Sequence, residues 1–249
     1  MQTSAALRQK TILLRKRIKA KFPALVPIYT FFHRKLIWQP YLRRLGPQQV
    51  FTRFYREGSW GSEESRSGLG STLAATSNLR AYLPRLVKQR DIRVLLDIPC
   101  GDMNWMRKVE LGLDLYIGAD IVSEIVETNS AMFGHDCSPP RRFMHLDLTR
   151  DPLPRADLVL CRDCLIHFSY KAIFESLNNI KKSGALYLLT TTFLRRTNVD
   201  IETGEFRPIN LQARPFNFPP PLEIVEDICE AAPGCEDRHI ALWRVADLP

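Results

Sequence analysis

Five short apolar runs, at 93–98, 115–120, 142–147, 157–161 and 185–193, alternate with stretches of helical spacing, and the first three carry Asp97, Asp120 and Asp147 at or near their ends. This order constrains the fold more tightly than composition does. Strands that are apolar along their whole length are buried on both faces, and the helices between them supply the crossovers that parallel strands need. Helices are expected at 73–87, 103–110, 122–132 and 169–182, where apolar residues recur at intervals of three and four. The end of the chain breaks the alternation. Segments 222–229 and 238–246 are joined only by 230–237, which is too short for a parallel crossover, so an antiparallel hairpin is expected there. The expected class is α/β, a Rossmann-like sheet of seven strands, mostly parallel, closed by a C-terminal antiparallel hairpin.

In such sheets the ligand lies across the carboxyl ends of the strands, so acids at two neighbouring strand ends can face one nucleotide-like ligand. Residues 95–102 read Leu-Leu-Asp-Ile-Pro-Cys-Gly-Asp. A dinucleotide site would want Gly-x-Gly-x-x-Gly here, to bring backbone up to a pyrophosphate. This turn has a single glycine, Gly101, no lysine, and a surplus carboxylate, Asp102. Phosphate is a poor guest for it. Asp97 and Asp102 instead favour a ligand bearing a cation, such as an amino group or a sulfonium.

Charge divides the chain unevenly. Residues 1–56 hold thirteen Lys and Arg and no acid, while the remainder carries 22 bases against 27 acids, a net of −5. The expected organisation is a basic, aromatic helical extension over 1–56 and one α/β domain over 57–249. In the extension, cations through Lys21 precede the apolar stretch Phe22 to Phe32, followed by His33-Arg34-Lys35 and Leu36-Ile37-Trp38. Three readings stand: a helical cap on the core, contact of residues 1–45 with an anionic membrane surface, or nucleic-acid binding, the last disfavoured. A membrane span is excluded, since it needs about 20 apolar residues. The expected location is cytoplasmic, with peripheral contact at the inner membrane face if the second reading holds. Cys161 and Cys164 form a Cys-x-x-Cys without a matching second pair, so neither a metal nor a disulfide framework is expected of the six cysteines.

Taken in order, Asp97-Ile-Pro-Cys-Gly-Asp-Met103, Asp120 after Tyr116-Ile-Gly-Ala, Asp147 in His145-Leu-Asp-Leu148, and the stretch from Asp157 to Phe168 resemble the strand-end motifs of the class I S-adenosylmethionine-dependent methyltransferases. The first matches that family's Asp-x-Gly-x-Gly pattern at the acid and the middle glycine, and departs from it at Pro99 and Met103. The resemblance implies S-adenosylmethionine as cofactor. Asp97 would meet its amino group; Pro99, Cys100, Gly101 and Asp102 would form the adjoining turn. Asp120 would meet the ribose and Asp147 the adenine, with Ile121 and Leu148 beside them. Trp105, Arg162 and, from the preceding loop, Arg66 complete the expected contacts. Plainer readings exist for several of these: Asp97 and Asp120 as helix caps, Asp147 as a turn acid, Trp105 as core packing.

Methylating a hydroxyl requires removal of its proton, which a positioned base accelerates. His167, one turn beyond the fourth strand, is the candidate, with Asp163 or Arg162 orienting it or the substrate; a scaffold role is the alternative. Two loops flank this region, at 57–72 and 194–221. In the second, Arg207-Pro-Ile-Asn and Arg214-Pro-Phe-Asn-Phe-Pro-Pro-Pro mix aromatics with planar hydrogen-bonding groups, which suits a sugar, or else a proline-stiffened cover of the core. More loosely, Trp60-Gly, Ser65-Arg-Ser-Gly and Asn217-Phe-Pro-Pro-Pro are similar to a bacterial group of carbohydrate methyltransferases, including rhizobial enzymes acting on a fucose hydroxyl of lipo-chitooligosaccharide nodulation signals. That similarity implies a glycan or glycolipid acceptor. The alternatives are an N-methyltransferase of protein or nucleic acid, whose Asn/Asp-Pro-Pro-Tyr signature is missing after the fourth strand, and a non-catalytic module that binds the cofactor.

Overall fold

A computed structural model describes residues 22–135, 139–227 and 235–249. The chain forms two compact units, Met1–Val50 and Phe51–Pro249, dividing earlier than the boundary at 56/57 that charge alone marks.

In the first unit, helix α1 (Val26–His33) runs through a π-helical turn, Arg34–Trp38, into α2 (Gln39–Leu45). Pro40 accounts for the widened turn: it has no N–H to give to the carbonyl four residues back, and its ring crowds that carbonyl. Gly46, at φ +76°, ends the run with its N–H donating to the Leu42 carbonyl. Helix α3 (Pro47–Arg56) starts on a proline, whose fixed φ and missing donor suit a first helical position.

The second unit holds helices α4 (Ser77–Gln89), α5 (Ser123–Phe133) and α6 (Tyr170–Lys182). Its strands are β1 (Val94–Asp97), β2 (Leu115–Asp120), β3 (Arg141–His145), β4 (Leu158–Cys161), β5 (Tyr187–Phe193), β6 (Glu223–Glu226) and β7 (Arg238–Arg244). They form one seven-stranded sheet in the order β3-β2-β1-β4-β5-β7-β6. The first five strands pair in parallel, and β7 inserts antiparallel between β5 and β6. Every residue of β4 is buried, as a strand covered on both faces requires. The edges are charged instead: β3 opens with Arg141 and Arg142, and Glu223 of β6 binds Arg90 and the Tyr82 hydroxyl. The hairpin is antiparallel as expected, from Glu223 opposite Leu242 to Glu226 opposite His239; Cys229 and most of its connection lie outside the described residues, as does Cys137.

One expected helix is absent. Residues 103–110 make only a 3-10 turn at Met106–Lys108. Met103 stands at φ +59°, a left-handed conformation that cannot start an α-helix, and Asn104 is pulled out of register by bonds from its amide to Glu64 and to the Ser71 carbonyl. The apolar residues of this stretch, Met103, Trp105, Met106 and Val109, still enter the core, but from an irregular cover.

Candidate active site

The strand order reverses between β1 and β4, and a cavity of about 380 Å³ opens over the carboxyl ends of the strands around that point. Asp97, Pro99, Cys100, Gly101, Trp105, Asp120, Ile121, Asp147, Leu148, Arg162, Asp163 and His167 all line it. Two nominated residues, Asp102 and Arg66, do not.

At one end the turn after β1 is fastened to β2. Gly101 has φ +56°, and a Cβ there would lie 2.4 Å from the Ser67 hydroxyl, so both backbone and neighbour demand glycine. Its N–H donates to Asp120 Oδ2 at 3.2 Å, and its carbonyl accepts from the Asn129 amide at 2.8 Å. Asp120 Oδ1 meanwhile accepts the Val122 N–H at 3.0 Å, so this acid also braces the entry to α5. Asp97, the last residue of β1, accepts a 2.7 Å bond from the Tyr116 hydroxyl on β2. Burial pushes the Asp97 carboxyl up to about 7, with the Tyr116 bond holding it down and the charge of Asp120 adding to the rise. Burial likewise lifts Asp120 to about 6, against the backbone N–H groups it accepts. Two buried acids that resist ionisation side by side make this end a receptor for a cation, which would let both ionise. Asp147 is bound differently: Oδ1 accepts both the N–H and the hydroxyl of Thr149, at 2.9 and 2.6 Å, which is the geometry of a turn acid that also borders the cavity.

The loop over 57–72 is tied down by Asp102. Its carboxylate accepts from the Ser65 hydroxyl at 2.9 Å and the Arg66 N–H at 2.7 Å, while its own N–H donates to the Ser67 hydroxyl at 2.9 Å. The expectation that Asp102 joins Asp97 in meeting a cation is therefore corrected: the carboxylate turns to the loop, where two donors converge on it. Arg66 is corrected too. Its guanidinium reaches the Tyr55 carbonyl at 3.3 Å and lies over the Tyr55 ring, outside the cavity, and the loop instead presents residues 67–71. Close approach explains Gly70: a Cβ there would stand 2.7 Å from Asp163 Oδ2 and 3.1 Å from Arg238 Nη1.

At the other end lies His167, in the 3-10 turn Leu165–His167 that follows β4. Its Nδ1 lies 3.0 Å from the Glu205 carbonyl. A carbonyl only accepts, so Nδ1 carries the proton and Nε2 holds the lone pair. Burial lowers the pKa, and the ring is neutral at pH 7. Phe51 and Phe206 flank it, with ring centroids 6.5 and 5.8 Å away. Asp163 does not orient this histidine. Burial raises its pKa, but Arg238 and Arg162 outweigh that and hold it ionised, with Arg238 Nη1 at 3.0 Å and Arg162 Nη1 at 3.3 Å. Arg162 also forks onto Asp227 with two 3.0 Å bonds, and Arg238 reaches Asp227 at 3.3 Å. Two arginines and two aspartates thus form a neutral buried cluster that fixes the end of β4 against β7.

The 194–221 segment is mostly core cover, the second of the two readings its composition allowed. Arg207 donates to the carbonyls of Leu165 and Phe168, both at 2.9 Å, and so clamps the turn that carries His167. Phe216 packs against Tyr170 and Phe174, and Phe218 against Trp243. From this segment Phe206 reaches the cavity. The sequence reading missed Phe51, Tyr116, Phe206, Asp227 and Arg238. Only Tyr116 carried a signal, as an inward position of β2 opposite Leu95, two residues before Asp97 and so on the same face of the sheet.

No family model and no curated protein matches this chain. Solved structures do. Magnesium protoporphyrin IX methyltransferase from Synechocystis is 14% identical, with 80% of this chain and 97% of that chain covered, at a TM-score of 0.53. The N-methyltransferase NodS from Bradyrhizobium japonicum, in complex with S-adenosyl-L-homocysteine, is 14% identical over 77% of this chain and 97% of that chain, also at 0.53. The 1,6-didemethyltoxoflavin-N1-methyltransferase of Burkholderia thailandensis is 17% identical over 79% and 86%, again at 0.53. Likeness at this level establishes the architecture: the chain has the Rossmann-like fold of the S-adenosylmethionine-dependent methyltransferases.

Proposed function

We propose that this chain is an S-adenosylmethionine-dependent methyltransferase acting on oxygen, with His167 as the base. One observation carries the reading. A single cavity has two buried, raised-pKa carboxylates at one end and a neutral histidine with an unprotonated Nε2 among aromatic rings at the other. The first end fits the cofactor, because among the described residues neither acid is in an ion pair, both stay raised by burial, and its turn, built on Gly101, leaves no phosphate cradle. Bound there, S-adenosylmethionine supplies a methyl group already activated by the sulfonium. The three solved structures above are named as methyltransferases, two holding S-adenosylhomocysteine and the third S-adenosylmethionine, which supports the same choice.

The residues of this chain then have separable tasks. Asp97, steadied by Tyr116, would bind the amino group, and Asp120, which holds the Gly101 turn, would bind the ribose hydroxyls. Trp60, Phe51 and Phe206 bound the acceptor end and exclude water from it. His167 Nε2 would take the proton of the acceptor hydroxyl, whose oxygen gains the methyl group that the cofactor's sulfonium gives up to become a neutral thioether. Its proton-bearing Nδ1 is kept on the Glu205 carbonyl throughout, which fixes the tautomer. The acceptor we favour is a sugar hydroxyl of a glycan or glycolipid, of the kind found on lipo-chitooligosaccharide signals. The looser sequence similarity and the exposed ring of Phe206, on which a sugar ring can stack, support that class; the planar side chains of 207–217 do not.

Transfer of labelled methyl from S-adenosylmethionine to a panel of glycolipids, proteins and RNA tests this. Methyl ether on a sugar is the expected product. Label found only on nitrogen, in protein or RNA, would overturn the oxygen assignment, and a protein that binds the cofactor but transfers to none of them would be a binding module.

A further inference from the structure

We infer that helix α1 and the turn after it form a docking element for an anionic lipid bilayer, independent of the methyl-transfer reading. Among the described residues, this segment stays largely exposed. No residue of α1 (Val26–His33) is buried, although seven of its eight residues carry no charge and most are apolar. Leu25, Ile28, Phe31, Phe32, Leu36 and Ile37 are 45–69% exposed. A helix apolar around most of its circumference is ordinarily inside something, and a contiguous patch of this kind marks a surface that is covered in use.

Charge selects the cover. Residues 1–56 contain thirteen Lys and Arg and no acid, seven of the thirteen lying in residues 1–21 immediately before the patch and Lys35 within it. An anionic bilayer offers both partners at once: acyl chains for the apolar side chains and headgroups for the cations. A second copy would bring its own acid-free arm against this one, cation to cation. Nucleic acid would gain from the cations but has nothing for aliphatic Leu25, Ile28, Leu36 and Ile37. The helix lies in the surface and does not cross it. At about 1.5 Å per residue its length falls far short of the roughly 30 Å hydrocarbon layer, and no described helix is long and apolar enough to span.

Co-sedimentation of the full chain with vesicles tests this, comparing phosphatidylcholine alone with phosphatidylcholine containing phosphatidylglycerol, in the absence of S-adenosylmethionine. Binding to the anionic vesicles is expected to be at least about tenfold tighter and to weaken with salt. The paired substitution Phe31→Ser and Phe32→Ser should reduce it about tenfold or more, with circular dichroism and cofactor binding unchanged. Lys35→Glu should reduce it less, and only on anionic vesicles. Equal binding to both lipids, no binding, self-association through the arm in sedimentation velocity, or retention on RNA in place of vesicles would each overturn the inference. Because no step of this assay requires methyl transfer, its outcome is separate from that of the transfer assay.

Discussion

The two ends of the cavity are built on opposite plans. The end over β1 and β2 is local: Asp97, Gly101 and Asp120 lie within one β-turn-β stretch, where the Gly101 and Val122 N–H groups hold Asp120 and the Tyr116 hydroxyl holds Asp97. The end around His167 is assembled from distant pieces, with Phe51 from α3, Arg207 and Phe206 from the 194–221 segment and Arg238 from β7. The first end can therefore be common to a fold while the second is particular to a chain. That contrast locates cofactor chemistry in the turn and acceptor choice in the segments brought to it.

Substitutions at the two ends should separate binding from turnover. His167→Ala is expected to lower kcat by about 10²–10⁴-fold, the usual contribution of a positioned base, with cofactor affinity unchanged in calorimetry. Near-normal turnover would return His167 to a scaffold role. Arg207→Ala acts through the turn it clamps. It removes charge-assisted bonds to the Leu165 and Phe168 carbonyls, each worth about 1.5–3 kcal/mol, and should lower both Tm and kcat while leaving affinity for the cofactor close to wild type. If affinity fell as far as kcat, the two ends would be less separable than drawn. Gly101→Ala should weaken the cofactor end alone, by about 1–2 kcal/mol of left-handed strain added to its clash with Ser67, read as a rise in Kd.

A further effect is one of pH, and its sign differs between the free and the bound protein. Asp97 and Asp120 have pKa values raised to about 7 and about 6, so the empty folded chain holds protons that the unfolded chain has already released. For these two groups, stability of the free protein rises as pH falls from 8 towards 5. A cationic ligand prefers the ionised acids, so its affinity should fall over the same range, by up to about tenfold per unit for each proton that must leave. Parallel slopes in the thermal and binding titrations would contradict the assignment of these acids.

How much of this was legible in the sequence follows the same division. The sheet could be read because buried parallel strands must be apolar throughout and because 230–237 cannot hold a crossover. The cofactor end could be read because its acids sit at strand ends. What could not be read was the direction of side chains leaving a turn: Asp97 and Asp102 look equivalent in sequence, yet one faces the cavity and the other clasps the loop at Ser65. The left-handed Met103 gives no warning either, since its neighbours fit a helical pattern. In the 194–221 segment, Arg207 and Phe216 have the composition of a binding loop, and only tertiary packing reveals that carbonyls and rings of the core already occupy them.

The central claim is that a buried pair of acids binds a sulfonium-bearing cofactor. Calorimetric titration of S-adenosylmethionine at pH 7, in buffers of differing ionisation enthalpy, tests it most directly. The expected result is one site per chain with net proton release, and a loss of about 2–5 kcal/mol in Asp97→Asn, the cost of truncating a buried charge partner. Absence of binding, or binding without proton release and indifferent to Asp97→Asn, would contradict it.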